Sequence, residues 1–335
     1  MPRALVRRLS VATALGLGVG IGALLSTPAL AVAQPGPPPT QQRWDSLRAV
    51  GESLYHLRTQ WSAGRGGRSA EVTVQAFSRD FRPLGKAGRL YRGPAARAEI
   101  ATRDDAFAVV LYRGGGDRPF VRVIVRQVVP PGGGVTQPPT IELARPGGTG
   151  WAPTNATLCA TPEGFTVLWQ EEATTPTQGR RARSFMTRIS REGRVIEQPH
   201  EVPIPWGFGA IAWNGSGYHL ALFYDGDSAG QTRLNLVTLT QHGAPEQHPW
   251  WISDPQAIDE VHLIPTSPGI LVVYRGGADG TTIRAVHSTA VGQWGGATPP
   301  TRDLGRLEAG MPFTERVASP ESIEIVSPPA RPSSG

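Results

Sequence analysis

Glu260 and His262 stand two residues apart in the run EVHLIP, so an extended chain turns both side chains to one face. A carboxylate beside an imidazole can move a proton. Glu99, Asp254 and Asp259 complete the set of candidate acids. Two carboxylates facing each other across a cavity suit hydrolysis of a glycosidic bond, one as acid and the other as base or nucleophile. These residues do not occupy equivalent positions along the chain. A hydrogen-bonded polar pair is therefore the simpler expectation for Glu260 and His262, because a lone histidine is weak evidence for catalysis.

A second acidic group, Asp225-Gly226-Asp227-Ser228, has two carboxylates in the alternating rhythm of a calcium loop. Such a loop needs several more oxygen ligands at fixed offsets, and they are missing. The stretch is expected to be a hairpin tip, so no metal and no cofactor are expected. The other histidines, His56, His200, His219, His242, His248 and His287, are dispersed. Cys159, the only cysteine, lies in the apolar run ATLCA and is expected to be a buried small hydrophobe. No phosphate loop, dinucleotide fingerprint, zinc-protease helix or nucleophile elbow occurs. The Asp-box of sialidases and the WD pair are absent too.

Aromatic residues recur where one group of strands would give way to the next: Tyr91, Trp151, Trp206 and Trp251. Exposed there, Trp151, Trp206 and Trp251 can stack on a sugar ring or anchor a peptide. Packing between neighbouring units is the competing expectation.

All these residues are carried by one pattern that repeats five times. A strand-like run ends in an aromatic, a Gly-rich or polar tip follows, and a second strand-like run comes after it, as in FAVVLY–RGGGDRP–FVRVIV and GILVVY–RGGADG–TTIRAV. The aromatics are Trp61, Tyr112, Trp169, Tyr224 and Tyr274, spaced by roughly 50 to 57 residues, as in propeller blades. The tip is the same in conformation and different in chemistry, with DGDSAGQT in the fourth repeat and RGGADG in the fifth. That variation supports the hairpin for Asp225–Ser228. A further turn follows in SRDFRP, SREGRV and TQHGAP, and another precedes the aromatic strand. Each repeat thus supplies four antiparallel strands in meander order.

The fold class expected is all-β, a propeller of five four-stranded blades, with six as the alternative count. The blades are expected at 43–92, 93–148, 149–204, 205–252 and 253–305. The strand-like piece SIEIVS (322–327) is expected either to complete a blade by pairing with the N-terminal region, which would lock the ring, or to belong to a degenerate sixth blade. The segment AIAWNGSGYHLALFYDG…RLNLVTLTQHGAPEQ resembles the repeats of large exported bacterial propeller proteins. That resemblance implies a propeller and export, and it implies no defined activity.

Residues 1–33 have the form of a cleaved signal peptide: Arg3, Arg7 and Arg8, then VATALGLGVGIGALL, then Ala31-Val32-Ala33. Residues 34–42 are expected to be a flexible linker, 43–327 a single propeller domain and 328–335 a disordered tail. The protein is expected in the periplasm or outside the cell, with no stable membrane insertion after cleavage. The formal charge of +6 does not point to nucleic acid, because the basic residues are scattered and all but Lys86 are arginine. Asn155-Ala-Thr and Asn214-Gly-Ser match the glycosylation pattern but are expected to be turns. The main functional expectation is a non-catalytic binding or scaffold protein that presents a loop face to a protein or glycan partner. The binding residues proposed for it are Trp151, Trp206, Trp251, Glu260 and His262. The alternative is a carbohydrate-active enzyme with carboxylates near the central channel.

Overall fold

The computed structural model describes residues 43–328 except 51, 65–66, 95, 104, 115–117, 128–139, 145–149, 176–178, 205–206, 226–231, 247–248, 255, 268, 278–279, 289–300, 309–310 and 320. The signal, linker and terminal tail expected from the sequence lie outside these residues, apart from Pro328. So do Trp206 and the tip at 226–230.

Every described element is a strand. The first sheet comprises β1 (Arg43–Val50), β2 (Ser53–Gly64), β3 (Gly67–Ser78) and β4 (Gly88–Pro94). The second comprises β5 (Arg97–Thr102), β6 (Ala106–Arg113), β7 (Phe120–Gln127) and β8 (Ile141–Ala144). The third comprises β9 (Trp151–Thr161), β10 (Gly164–Thr175), β11 (Gly179–Ser190) and β12 (Val195–Val202). The fourth comprises β13 (Gly207–Trp213), β14 (Gly217–Asp225), β15 (Thr232–Thr240) and β16 (Trp250–Trp251). The fifth comprises β17 (Ile258–Pro265), β18 (Ile270–Gly276), β19 (Thr282–Ser288) and β20 (Arg302–Arg306). Each sheet is an antiparallel meander in chain order. The first strands β1, β5, β9, β13 and β17 contact one another in succession and form the inner wall of a five-bladed propeller.

The turn chemistry read from the sequence is visible in the bonds. After β3, β11 and β15, the hydroxyls of Ser78, Ser190 and Thr240 accept from the backbone N–H four residues on, at 3.1, 3.2 and 3.1 Å. The residue three positions after each hydroxyl has a left-handed backbone. It is glycine at Gly193 and Gly243, but Phe81 in the first blade (φ 58°). Asp225 pairs with Thr232 where β14 and β15 run antiparallel. Asn214 accepts from the N–H of Ser216 and Gly217, a side-chain-stabilised turn. Asn155 departs from expectation: it lies within β9 and donates to the Phe208 carbonyl of the next blade.

The core is a series of apolar layers shared between consecutive sheets. Tyr55 and Val72 of the first sheet pack with Val109 and Ile124 of the second, and Trp169 of the third packs with Val123 of the second. Tyr218 joins the third and fourth sheets, and Tyr274 the fourth and fifth. β18 is buried along its whole length, as a strand covered on both faces must be.

Residues 322–327 close the ring without pairing with the N-terminal region. They form β22 (Ser322–Val326), which pairs only with β21 (Thr314–Ser319) in a separate two-stranded sheet. Val317, Ile323 and Ile325 pack on Leu271 and Val273 of the fifth blade. Val326 packs on Leu47 and Leu54 of the first. The hairpin is a wedge filling the last gap, and it adds no strand to a blade. Its apolar residues alternate, so one face of so short a sheet can serve the fifth blade while its end meets the first.

Candidate active site

The inner strands enclose an axial cavity of about 1110 Å³. That is at the upper end for small-molecule sites, which run to roughly 1,000 Å³. Glu99 of β5 and Glu260 and His262 of β17 all line it, and the closing hairpin adds Glu315 from β21. Arg48 of β1, Arg97 of β5 and Arg275 of β18 line it as well.

The strand register places these groups. Residues 260 and 262 share a face of β17, and Glu260 Oε1 lies 3.0 Å from His262 Nε2. Arg275 sits directly across from Glu260 in the β17–β18 ladder, and its guanidinium lies 2.9 Å from Glu260 Oε2. Arg275 also donates to the Met311 carbonyl at 2.6 Å. The Nδ1 of His262 bonds the Glu315 carboxylate. Its ring stacks on Phe313 with centroids 4.6 Å apart. Arg48 Nη1 lies 3.0 Å from the same Nε2 that faces Glu260.

The surroundings of Glu99 favour its protonated form. Glu99 is pushed up to about 7, mainly by burial. The Glu260 charge adds to the rise, while Arg48, His262 and Arg97 oppose it. Neighbouring Tyr112 is pushed up to about 12 by burial and then by the Glu99 charge, against Arg97. Burial and Arg48 push His262 down. The Glu315 charge and the hydrogen bonds that His262 donates to Glu260 and Glu315 outweigh them, so it ends above the ordinary histidine value. Glu99 thus holds a proton near neutrality, while Glu260 is gripped by a guanidinium and an imidazole.

The other expected residues lie elsewhere. Asp254 is exposed ahead of β17, and the side chain of Asp259 is outside the described residues. Trp151 is half-buried at the head of β9, its ring covered by the Arg183 guanidinium 4.2 Å from the centroid. Trp251 is 48% exposed on the outer strand β16, with Arg233 4.0 Å over its ring. Neither lines the axial cavity. Cys159 is buried, as expected, and burial pushes its thiol up to about 12. Among the described residues no cluster of three or more His, Cys, Asp or Glu is arranged to hold a metal.

Glu315, Arg48, Arg97 and Arg275 carry no mark in the sequence that sets them apart. Glu315 follows the fifth repeat, so no periodicity marks it. Arg48, Arg97 and Arg275 look like any other arginine in an arginine-rich chain. The ladder position of Arg275 opposite Glu260 was the one available signal.

No protein-family model matches the chain, and no curated protein matches it. Solved structures of similar fold include an α-L-arabinofuranosidase from Fusarium graminearum in complex with an iminosugar inhibitor. It is 12% identical with TM-score 0.47, over 74% of this chain and 76% of that one. An α-L-arabinanase from Cellvibrio cellulosa is 11% identical with TM-score 0.41, over 79% and 96%. A xylan β-1,4-xylosidase from Bacillus halodurans is 13% identical with TM-score 0.38, over 62% and 41%.

The expectation of a non-catalytic binding or scaffold propeller is corrected here. It required dispersed carboxylates. The structure instead gathers Glu99, Glu260 and Glu315 with His262 in one axial cavity. The geometry of this cluster is what a non-catalytic scaffold would not need.

Proposed function

We propose that this propeller is a carbohydrate-active enzyme that hydrolyses glycosidic bonds in its axial cavity. One observation carries the reading: two carboxyl groups, Glu99 and Glu260, share the cavity, and burial together with the Glu260 charge pushes Glu99 up to about 7. Such a pair assigns its own roles. Glu99, protonated near pH 7, donates its proton to the glycosidic oxygen as the bond to the sugar breaks. Glu260, as a carboxylate, either takes a proton from the attacking water or attacks the sugar carbon itself. Arg48 and Arg97 line the same cavity and can bond sugar hydroxyls. The partner is a glycan. The form of residues 1–33 supports export, which would bring the enzyme to polysaccharide outside the cytoplasm.

The test is a panel of aryl glycosides and polymeric glycans, assayed with the purified chain and with Glu99→Gln. Release of reducing sugar that disappears in the variant supports the reading. A fully folded chain that cleaves nothing on the panel counts against it.

A further inference from the structure

We propose that Glu315 is a positioning residue for this site, so that the closing hairpin completes the machinery carried by the fifth blade. The proposal rests on the hydrolase reading and extends it to a residue outside the repeats. Three independent contacts converge from one segment. The Met311 carbonyl receives Arg275, which holds Glu260 Oε2. The Phe313 ring lies against the His262 imidazole. The Glu315 carboxylate accepts from His262 Nδ1, with His262 and Glu315 only 5% and 6% exposed. Among the described residues, Arg275 and His262, which hold the Glu260 carboxylate from the fifth blade, are thus each held in turn by residues 311–315.

The chemistry of the imidazole gives this arrangement its purpose. With Nδ1–H donated to Glu315, the proton on Nδ1 is fixed and the ring cannot flip without losing a buried bond. Nε2 is then left to the cavity. It donates to Glu260 when the ring is charged, and it accepts from Arg48 Nη1 when the ring is neutral. The charged groups facing the ring are Arg48 from β1, Glu99 from β5, Glu260 on its own strand and Glu315 from β21. Of these, Glu315 alone bonds Nδ1, and so it alone sets which nitrogen points at Glu260. A buried carboxylate that fixes a histidine tautomer acts on catalysis without touching substrate.

The experiment joins kinetics to the imidazole signals of His262, read by nitrogen-15 NMR on the full chain. In wild type the Nδ1–H resonance of His262 should be present. Glu315→Gln should lose it, lower the His262 titration and cut kcat by at least about tenfold, with KM within about twofold. Glu315→Asp should recover part of the loss. If Glu315→Gln does not fold, the wild-type spectrum decides: a neutral His262 protonated on Nε2 overturns the proposal. If Glu99→Gln is inactive while Glu315→Gln keeps full kcat and an unchanged titration, the positioning role fails and the hydrolase reading stands. If wild type cleaves no glycoside, the hydrolase reading fails. The tautomer then decides alone, with loss of Nδ1–H in Glu315→Gln supporting the hold on His262 and an unchanged signal overturning it.

Discussion

Oε1 of Glu260 lies 3.0 Å from Nε2 of His262, two residues further along the same strand. Across the cavity the Glu260 charge helps to keep the Glu99 carboxyl protonated. One carboxylate is thus tied to the fifth blade while its field acts on an acid carried by the second.

The activity should follow the proton on Glu99. With that carboxyl pushed up to about 7, kcat/KM is expected to decline as pH rises through that value, because the acid form is consumed. Glu99→Gln should lower kcat by about 10² to 10⁴-fold. The measurement is a pH–rate profile of wild type beside the variant. A wild-type rate that stays flat from pH 6 to 9 would remove Glu99 as the acid.

The same group should cost stability in alkali. Glu99 binds its proton more tightly folded than unfolded, where its value is 4.5. Its stabilising effect is therefore complete below about pH 4.5 and is lost as pH rises through about 7. The span corresponds to about 3 kcal/mol. Glu99→Gln is expected to be more stable than wild type at pH 8 and similar to it at pH 4. Urea unfolding at the two pH values checks the sign.

Arg275 is 4% exposed and bridges Glu260 to the closing segment. Arg275→Met should destabilise the fold by about 3 to 5 kcal/mol, since it strands a carboxylate that the arginine neutralises. Residues 311–326 should also become the first site of limited proteolysis. Equal protease resistance in variant and wild type would show that the bridge does not hold the hairpin.

Gly209 of β13 lets the fifth blade approach closely. A Cβ there would stand 2.5 Å from Val261 Cγ1 and 2.5 Å from the Phe223 ring. Val261 is flanked by Glu260 and His262 in sequence, so any shift of that strand moves both. Gly209→Ala should cost about 1 to 3 kcal/mol through overpacking and should lower kcat as well. Thermal melts and turnover on one substrate test both parts.

The Cys159 thiol is buried and pushed up to about 12, so it carries almost no thiolate at neutral pH. Iodoacetamide should leave the native chain unmodified and label it on unfolding. Fast labelling under native conditions would show that the layer between the third and fourth blades opens readily.

The blades were legible in the sequence because their turns are chemical. Ser78, Ser190 and Thr240 mark one corner of three blades, and Trp169 and Tyr274 mark the aromatic strand of two. Glu99, Glu260 and His262 could be placed near the axis once the innermost strands were recognised. That they meet could not be read, because convergence depends on how five sheets are arranged about an axis, and no local pattern encodes that. Glu315 was hidden for a different reason. Its strand, TERVAS, carries two charges and lies past the last repeat, so neither periodicity nor hydrophobicity singled it out. The hairpin that carries it pairs with itself, and a search for a strand that completes a blade looks in the wrong place.

The wedge between the fifth and first blades also sets an order of assembly. A ribosome makes the five blades before it makes residues 314–326, so until those residues emerge, Leu47 and Leu54 on one side and Leu271 and Val273 on the other lack their cover. A chain that stops before the hairpin leaves these four residues without that cover. The same few residues that finish the ring thus divide a chain still at risk of aggregation from one that is safe to release.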